Sequence, residues 1–304
     1  MRKLTFILVF IILLTSLASA QQLPLYSQYM LNDFSMNPAI AGTQDHFNIR
    51  SDNRFQWIGI TDAPRTYILT LDGPISKKHI GIGTYVFTDI TGPTRRTGFT
   101  VSYSYHMKLN ENLNVSLGLS AGILQFAMDG QSISLESTND QALVNQFTFA
   151  LVPDFGGGVY LYNENFYLGI AAPQIIPISA KLNSYADAQN IMVRHYYATA
   201  GYNLELGNNF SLDPCIVAKY VYPVPPQFDF GARILYMQKV WVGGGFRTMD
   251  AAYAMVGYVY QKSLTLGFSY DYPITDIHKY SFGTTEFYIG VTFNKPKPIE
   301  KPQI

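Results

Sequence analysis

The sequence predicts an all-β fold: a transmembrane antiparallel β-barrel of the outer-membrane type, with about 14 strands. Three observations carry that expectation. From about Phe47 to Phe293, stretches of roughly ten residues alternate apolar and polar side chains, the period that puts one set on each face of a strand. Short and long connections take turns between those stretches, as periplasmic turns and external loops do in such barrels. The composition fits a wall in lipid: charged residues are only 14% of the chain, aromatic residues reach 15%, and there are 24 Gly. A soluble sandwich of this size would carry more Lys and Glu on its outer face.

The chain opens with a targeting pattern. Arg2 and Lys3 form a positive start, Leu4 to Leu14 an apolar run, and Ala18-Ser19-Ala20 a small-residue cleavage site. Residues 1–20 are therefore expected to be a signal peptide for Sec-type export, cleaved near Ala20. The apolar run is too short to span comfortably as an anchor. Removing Arg2 and Lys3 from 21 basic residues leaves 19, against 21 acidic, a net charge of −2. No basic patch for nucleic acid is visible. Residues 21–44 are aromatic and polar with turn formers. They are expected to lie outside the barrel as a periplasmic N-terminal segment, a strap or plug.

Fourteen strands are expected, over about 45–57, 65–74, 78–89, 95–109, 112–128, 147–162, 165–175, 192–207, 209–222, 227–238, 240–248, 251–261, 263–272 and 284–294. The alternation is clear in 99–109: Val101, Tyr103, Tyr105, Met107 and Leu109 oppose Thr100, Ser102, Ser104, His106 and Lys108. It recurs in 113–123, where Leu117, Leu119 and Ile123 oppose Ser116, Gly118 and Ser120, and in the last strand, Phe287, Ile289, Val291 and Phe293. The long external loops are expected at 58–64, 90–94, 129–146, 176–191, 223–226 and 273–283. The barrel should thus occupy 45–294, followed by a Pro- and Lys-rich periplasmic tail, 295–304.

Charged side chains inside strands should face inward, because Arg or Lys on the lipid face at mid-membrane costs about 2–4 kcal/mol. Arg54, Arg65, Arg95, Arg96, Arg194, Arg233 and Arg247 are expected to line the lumen or its mouth, with Asp52, Asp154, Asp229 and Asp271 as partners for those deep in strands. Trp57 and Trp241 are read as girdle residues at the two membrane interfaces. The single Cys215 excludes an intrachain disulfide and reads as a packed residue. The five His are scattered without ligand spacing. Nothing marks a nucleophile, so no enzyme, cofactor or metal is expected. Gly156-Gly157-Gly158 and Gly243-Gly244-Gly245 lie within strand patterns and suggest bends or close packing of the wall.

At Asn37-Pro38-Ala39-Ile40-Ala41-Gly42 the chain resembles the PorP/SprF family of type IX secretion system outer-membrane proteins. The resemblance continues through Arg50-Ser51-Asp52-Asn53-Arg54-Phe55-Gln56-Trp57, Pro64, Thr66 and Pro74. It ends with Gly267-Phe268-Ser269-Tyr270-Asp271-Tyr272 and Thr284-Thr285-Glu286-Phe287-Tyr288-Ile289-Gly290. The candidate partner-binding or family-pattern positions are Asn32, Asn37, Pro38, Ala39, Gly42, Arg54, Trp57, Pro64 and Thr66. Asn37, Pro38 and Gly42 can equally serve to steer the chain into the first strand, since all three favour turns.

The resemblance implies a barrel working with the type IX machinery of Bacteroidota. Its expected partners are outer-membrane lipid, a periplasmic peptidoglycan-binding lipoprotein and ring components, or a secreted adhesin used in gliding motility. The expected role is anchoring or scaffolding of that machinery or client. The alternative is a passive diffusion porin or small-solute transporter, whose mark would be an open lumen with a charged constriction.

Overall fold

The computed structural model describes residues 26–76, 79–130, 147–176, 179–180, 190–191 and 193–293. The expected signal peptide, the 295–304 tail, the 131–146 loop and most of the 177–192 loop lie outside these residues. The strands are β1 (Phe47–Phe55), β2 (Arg65–Ser76), β3 (Ile80–Thr91), β4 (Thr94–Asn110), β5 (Leu113–Asp129), β6 (Phe147–Tyr162) and β7 (Phe166–Ala172). The ring continues with β8 (His195–Tyr202, extended by Leu204–Leu206), β9 (Phe210–Val221), β10 (Val224–Tyr236), β11 (Val240–Arg247), β12 (Ala251–Tyr260), β13 (Leu264–Pro273) and β14 (Thr284–Phe293). Each strand pairs antiparallel with its neighbours in sequence, and β14 pairs with β1 from Phe47↔Phe293 to Phe55↔Thr285. That last ladder closes the sheet, so it has no edge to satisfy in lipid. A two-residue ladder, Ser179–Ala180 with Asn190–Ile191, sits within the β7–β8 connection.

The two faces of the wall follow the alternation. Outward residues are large, apolar and open: Leu69, Leu119, Leu151 and Ile170 are 49%, 68%, 59% and 61% exposed. Inward residues are small or polar and covered, among them Thr70, Ser104, Ser116 and Ser269. A soluble protein has the opposite arrangement; apolar side chains find lipid outside, and polar ones find each other inside.

All the longer connections lie at one end of the barrel: 56–64, 130–146, 173–194 and 274–283. The other end has 77–79, 111–112, 163–165, 207–209, 237–239 and 261–263, together with the start of β1 and the end of β14. Two connections expected to be loops are tight turns. The β3–β4 link is only Gly92-Pro93, with Gly92 at φ +53°, and the β9–β10 link is only Tyr222-Pro223. Pro and Gly, read as loop formers, here let the strands run to the turn itself.

Of the strap and the plug expected for the N-terminal segment, residues 26–44 form the plug, and they lie within the barrel rather than outside it. They run inside the lumen from the long-loop end to the short-turn end. Two 3-10 turns, Asp33–Ser35 and Pro38–Ile40, shorten the path. Asn37 caps the second by accepting the Ala39 N–H at 3.0 Å, and Pro38 takes the first helical position, where no N–H is needed. At Gly42, φ is +70°, which lets the chain reverse into β1.

Candidate functional site

The lumen and the segment threaded through it form the site, because they bring together most of the buried polar groups. At the long-loop end five strands supply charge. Arg54 on β1 bonds Asp271 on β13 at 2.8 Å and Glu286 on β14 at 3.0 Å. Arg247 at the end of β11 bonds Asp229 at 2.8 Å, Asp250 at 3.0 Å and Asp271 at 3.5 Å, and lies 5.6 Å from the centre of the Tyr253 ring. The N-terminal segment completes this cluster. The backbone N–H groups of Ser27 and Gln28 donate to Glu286 Oε2 and Oε1 at 2.9 and 2.7 Å. Ser27 Oγ donates to Asp271 at 2.6 Å, and Arg247 donates to Ser27 Oγ at 3.0 Å and to the Tyr26 carbonyl at 3.3 Å. Charge on each wall residue is therefore shared between the wall and the segment.

Midway, the Tyr29 hydroxyl donates to Asp229 at 3.1 Å and touches Tyr253 and Cys215 at 3.3 Å. The thiol is thus packed in the lumen, as expected of Cys215. Tyr288 donates to the Leu31 carbonyl at 3.1 Å, and Thr70 donates to Asn32 Oδ1 at 3.0 Å.

At the short-turn end, shape replaces charge. A Cβ on Gly118 would overlap the Pro38–Ala39 backbone, one on Gly81 the Ala41 carbonyl, and one on Gly158 the Asn37 side chain. Missing side chains on the wall form notches for the Pro38–Ala41 turn. Ala39 and Ala41 are fully buried there. Asn37 donates to the Val159 carbonyl at 3.2 Å. Ser104 Oγ and His106 Nε2 both donate to the Ala41 carbonyl, at 2.6 and 2.8 Å, and the Tyr162 hydroxyl meets His106 Nδ1 at 3.0 Å.

The candidate positions fall mainly inside. Asn32, Asn37, Pro38, Ala39, Arg54 and Thr66 are buried, and Thr66 donates to Asp89 at 2.8 Å. Gly42 is half-buried at the base of the segment. Trp57 and Pro64 lie in the β1–β2 loop. Trp57 has φ +50°, its N–H donates to Thr284 Oγ1 at 3.1 Å, and the Pro64 carbonyl accepts the Gln56 N–H at 2.9 Å. Trp241 corrects its expected girdle role: it faces the lumen at 1% exposure, with Arg233 at 5.8 Å over its ring. Among the described residues Asp52 and Asp154 form no ion pair; Asp72, Asp89, Asp213 and Glu286 take that place, opposite Arg50, Arg96, Arg233 and Arg54. Arg65, Arg95 and Arg194 are exposed near the long-loop end. Ser27, Gln28, Tyr29, Glu286 and His106 were missed. The parity that turns Phe287 outward turns Glu286 inward, and the alternation of 99–109 likewise puts His106 on the inward face; Ser27, Gln28 and Tyr29 lie in a stretch with no such period.

Cavities border the segment toward each end. One of about 50 Å³ lies beside Tyr26 and Asp154 toward the long-loop end. Another, about 390 Å³, lies at the short-turn mouth between the segment and β6–β10. Asp33 lines the second, and burial raises its carboxyl pKa above the ordinary value, against the opposing pull of the Arg50 guanidinium.

Comparison with known proteins gives three results. No curated protein matches the chain. Among solved structures, the CymD monoaromatic hydrocarbon channel is 12% identical over 89% of this chain and 92% of its own, with a TM-score of 0.48. The Ralstonia pickettii toluene transporter TbuX is 12% identical over 84% and 91%, with a TM-score of 0.47, and the Acinetobacter baumannii outer membrane protein Omp33 is 10% identical over 83% and 99%, at 0.46. These likenesses are too distant to bear on function. The model of the type IX secretion system membrane protein PorP/SprF matches residues 18–291, nearly the whole barrel and its lumenal segment. The chain therefore belongs to the PorP/SprF family and is an outer-membrane β-barrel component of type IX secretion.

Proposed function

We propose that the protein acts as a non-enzymatic scaffold in the outer membrane, holding periplasmic secretion machinery, a secreted surface adhesin, or both. The observation that carries this reading is the filled lumen. Residues 26–44 are held along the barrel axis by buried ion pairs at one end and by glycine notches at the other. A barrel occupied in this way offers its mouths and loops for contact and its wall as an anchor in lipid. It does not offer a wide path for solutes, which weighs against the porin alternative. With short turns in the periplasm, the short-turn mouth meets the machinery and the long loops meet the client. Export by a signal peptide cleaved near Ala20 and a place in Bacteroidota gliding belong to the same proposal.

The test is a gentle detergent pull-down of the tagged mature protein from outer membranes, read by mass spectrometry. A peptidoglycan-binding lipoprotein with ring components identifies a core machinery role. One large surface protein identifies a client anchor. Recovery of neither, even after crosslinking, contradicts the scaffold.

A further inference from the structure

The 390 Å³ cavity at the short-turn mouth is large enough for a ligand group. Its charge is uneven. Three carboxylates line it, Asp33, Glu164 and Asp213, against one guanidinium, Arg233. Arg233 is already committed, since both its Nε and Nη2 donate to Asp213 Oδ2, at 3.1 and 2.6 Å. The negative charge of Asp33 and Glu164 is left facing the cavity. Arg50 acts on Asp33 from a distance, but its own hydrogen bond goes to Asp72. Asp33 uses Oδ1 to accept the Phe34 N–H at 2.9 Å, and Oδ2 has no partner among the described residues.

A second observation points to a ligand. Tyr160 is 5% exposed, lines the cavity, and has no hydrogen-bond partner for its hydroxyl among the described residues. The Tyr167 hydroxyl is likewise without a partner there. Two phenol oxygens and two carboxylates at one mouth supply acceptors for a group that brings several N–H donors and a positive charge. An anion would meet net repulsion. The tyrosine faces are occupied by one another, Tyr160 lying 5.5 Å from Tyr162 and 5.7 Å from Tyr167, so no platform is left for stacking a sugar ring.

We propose that this cavity receives a guanidinium or ammonium group, carried on the basic side chain of an extended partner segment that enters from the periplasm. The inference deepens the scaffold reading by giving the chemistry of its periplasmic contact. Asp33 supplies the deeper carboxylate and Glu164, in the exposed 163–165 turn, the outer one. Tyr160 and Tyr167 accept the remaining N–H groups.

Met30 lines the same cavity, so its methyl group is a local reporter. The full mature protein, isotopically labelled at methionine methyl groups in detergent, is titrated with the peptide acetyl-Gly-Arg-Gly-amide. Parallel titrations use acetyl-Gly-Glu-Gly-amide, maltose and spermidine. The expected result is a saturable Met30 shift with the arginine peptide, weakened about fivefold in Asp33→Asn and less in Glu164→Gln. Asp33→Asn keeps the oxygen that accepts the Phe34 N–H, and heat-modifiable mobility on a gel confirms that it folds. Absence of a saturable shift overturns the site. Equal response to the glutamate peptide or maltose, or an unchanged affinity in Asp33→Asn, overturns its cationic chemistry. Spermidine binding more tightly than the peptide overturns a protein segment as the occupant. A failed titration leaves the pull-down of machinery standing, and a failed pull-down leaves the titration standing.

Discussion

The two ends of the lumenal segment are held by different physics. At the long-loop end, Ser27 and Gln28 join a cluster in which Arg54 and Arg247 face Asp229, Asp271 and Glu286, all nearly inaccessible to solvent. At the short-turn end, Asn37–Ala41 is uncharged and rests against Gly81, Gly118 and Gly158. Taking charges out of water is expensive, and the first arrangement is stable only while every partner is present. The second depends on the absence of side chains and tolerates no added carbon. The first end therefore fixes which segment enters, and the second fixes how closely it lies. One chain thus joins a charge lock to a shape lock within the fifteen residues from Ser27 to Ala41 of a single strap.

The comparison can be broken hardest at the charged end. Arg247→Met leaves Asp229 and Asp271 with fewer compensating charges and costs about 3–5 kcal/mol, read as a lowered urea midpoint by tryptophan fluorescence in detergent. Gly118→Val attacks the other end. Its side chain meets the Pro38–Ala39 backbone, and we expect a loss of about 1–3 kcal/mol with the barrel ladder intact on circular dichroism. A smaller effect is expected from Asn37→Ala, which removes the cap of the second 3-10 turn and the bond to Val159, and costs about 1 kcal/mol in the same unfolding assay.

The smallest effect concerns pH. Burial raises the folded-state carboxyl pKa of Asp33 above the ordinary carboxylate range. The fold therefore favours the protonated group, and that stabilisation is present below the unfolded pKa and lost as pH rises through the folded one. Asp33→Asn should be more stable than the parent at neutral pH, and the difference should shrink as the solution is acidified. A constant difference across that range would show that the Asp33 charge is not what the fold opposes.

Most of the wall was legible because lipid and lumen impose a strict period of two. The β6 span of 147–162 matches in full, and the other strands differ by a few residues at their ends. The pattern could not reveal where turns tighten, since Gly92-Pro93 and Tyr222-Pro223 read equally as loop or turn. The lumenal segment was legible only as a stretch rich in turn formers. Its position depends on long-range partners: Ser27 finds Glu286, and Ala39 finds Gly118. Neither contact leaves a local periodic signal. Trp241 shows the same limit. An aromatic residue near a strand end reads as a girdle member, but the inward parity of its position decides the matter. Arg54 and Arg247 were placed correctly by the cost of charge in lipid, whereas their full partner set required the closed ring of strands. Gly158 was readable as a bend or close packing and Gly118 as an inward-facing position, though neither as a bed for Asn37 to Ala41.

The most direct test of the account is the conductance of the purified mature protein in a planar bilayer. A lumen held shut by residues 26–44 predicts a silent membrane, with no steady current across repeated insertions. A large, stable, solute-permeable current from the intact protein would contradict a filled lumen, and with it the scaffold that rests on it.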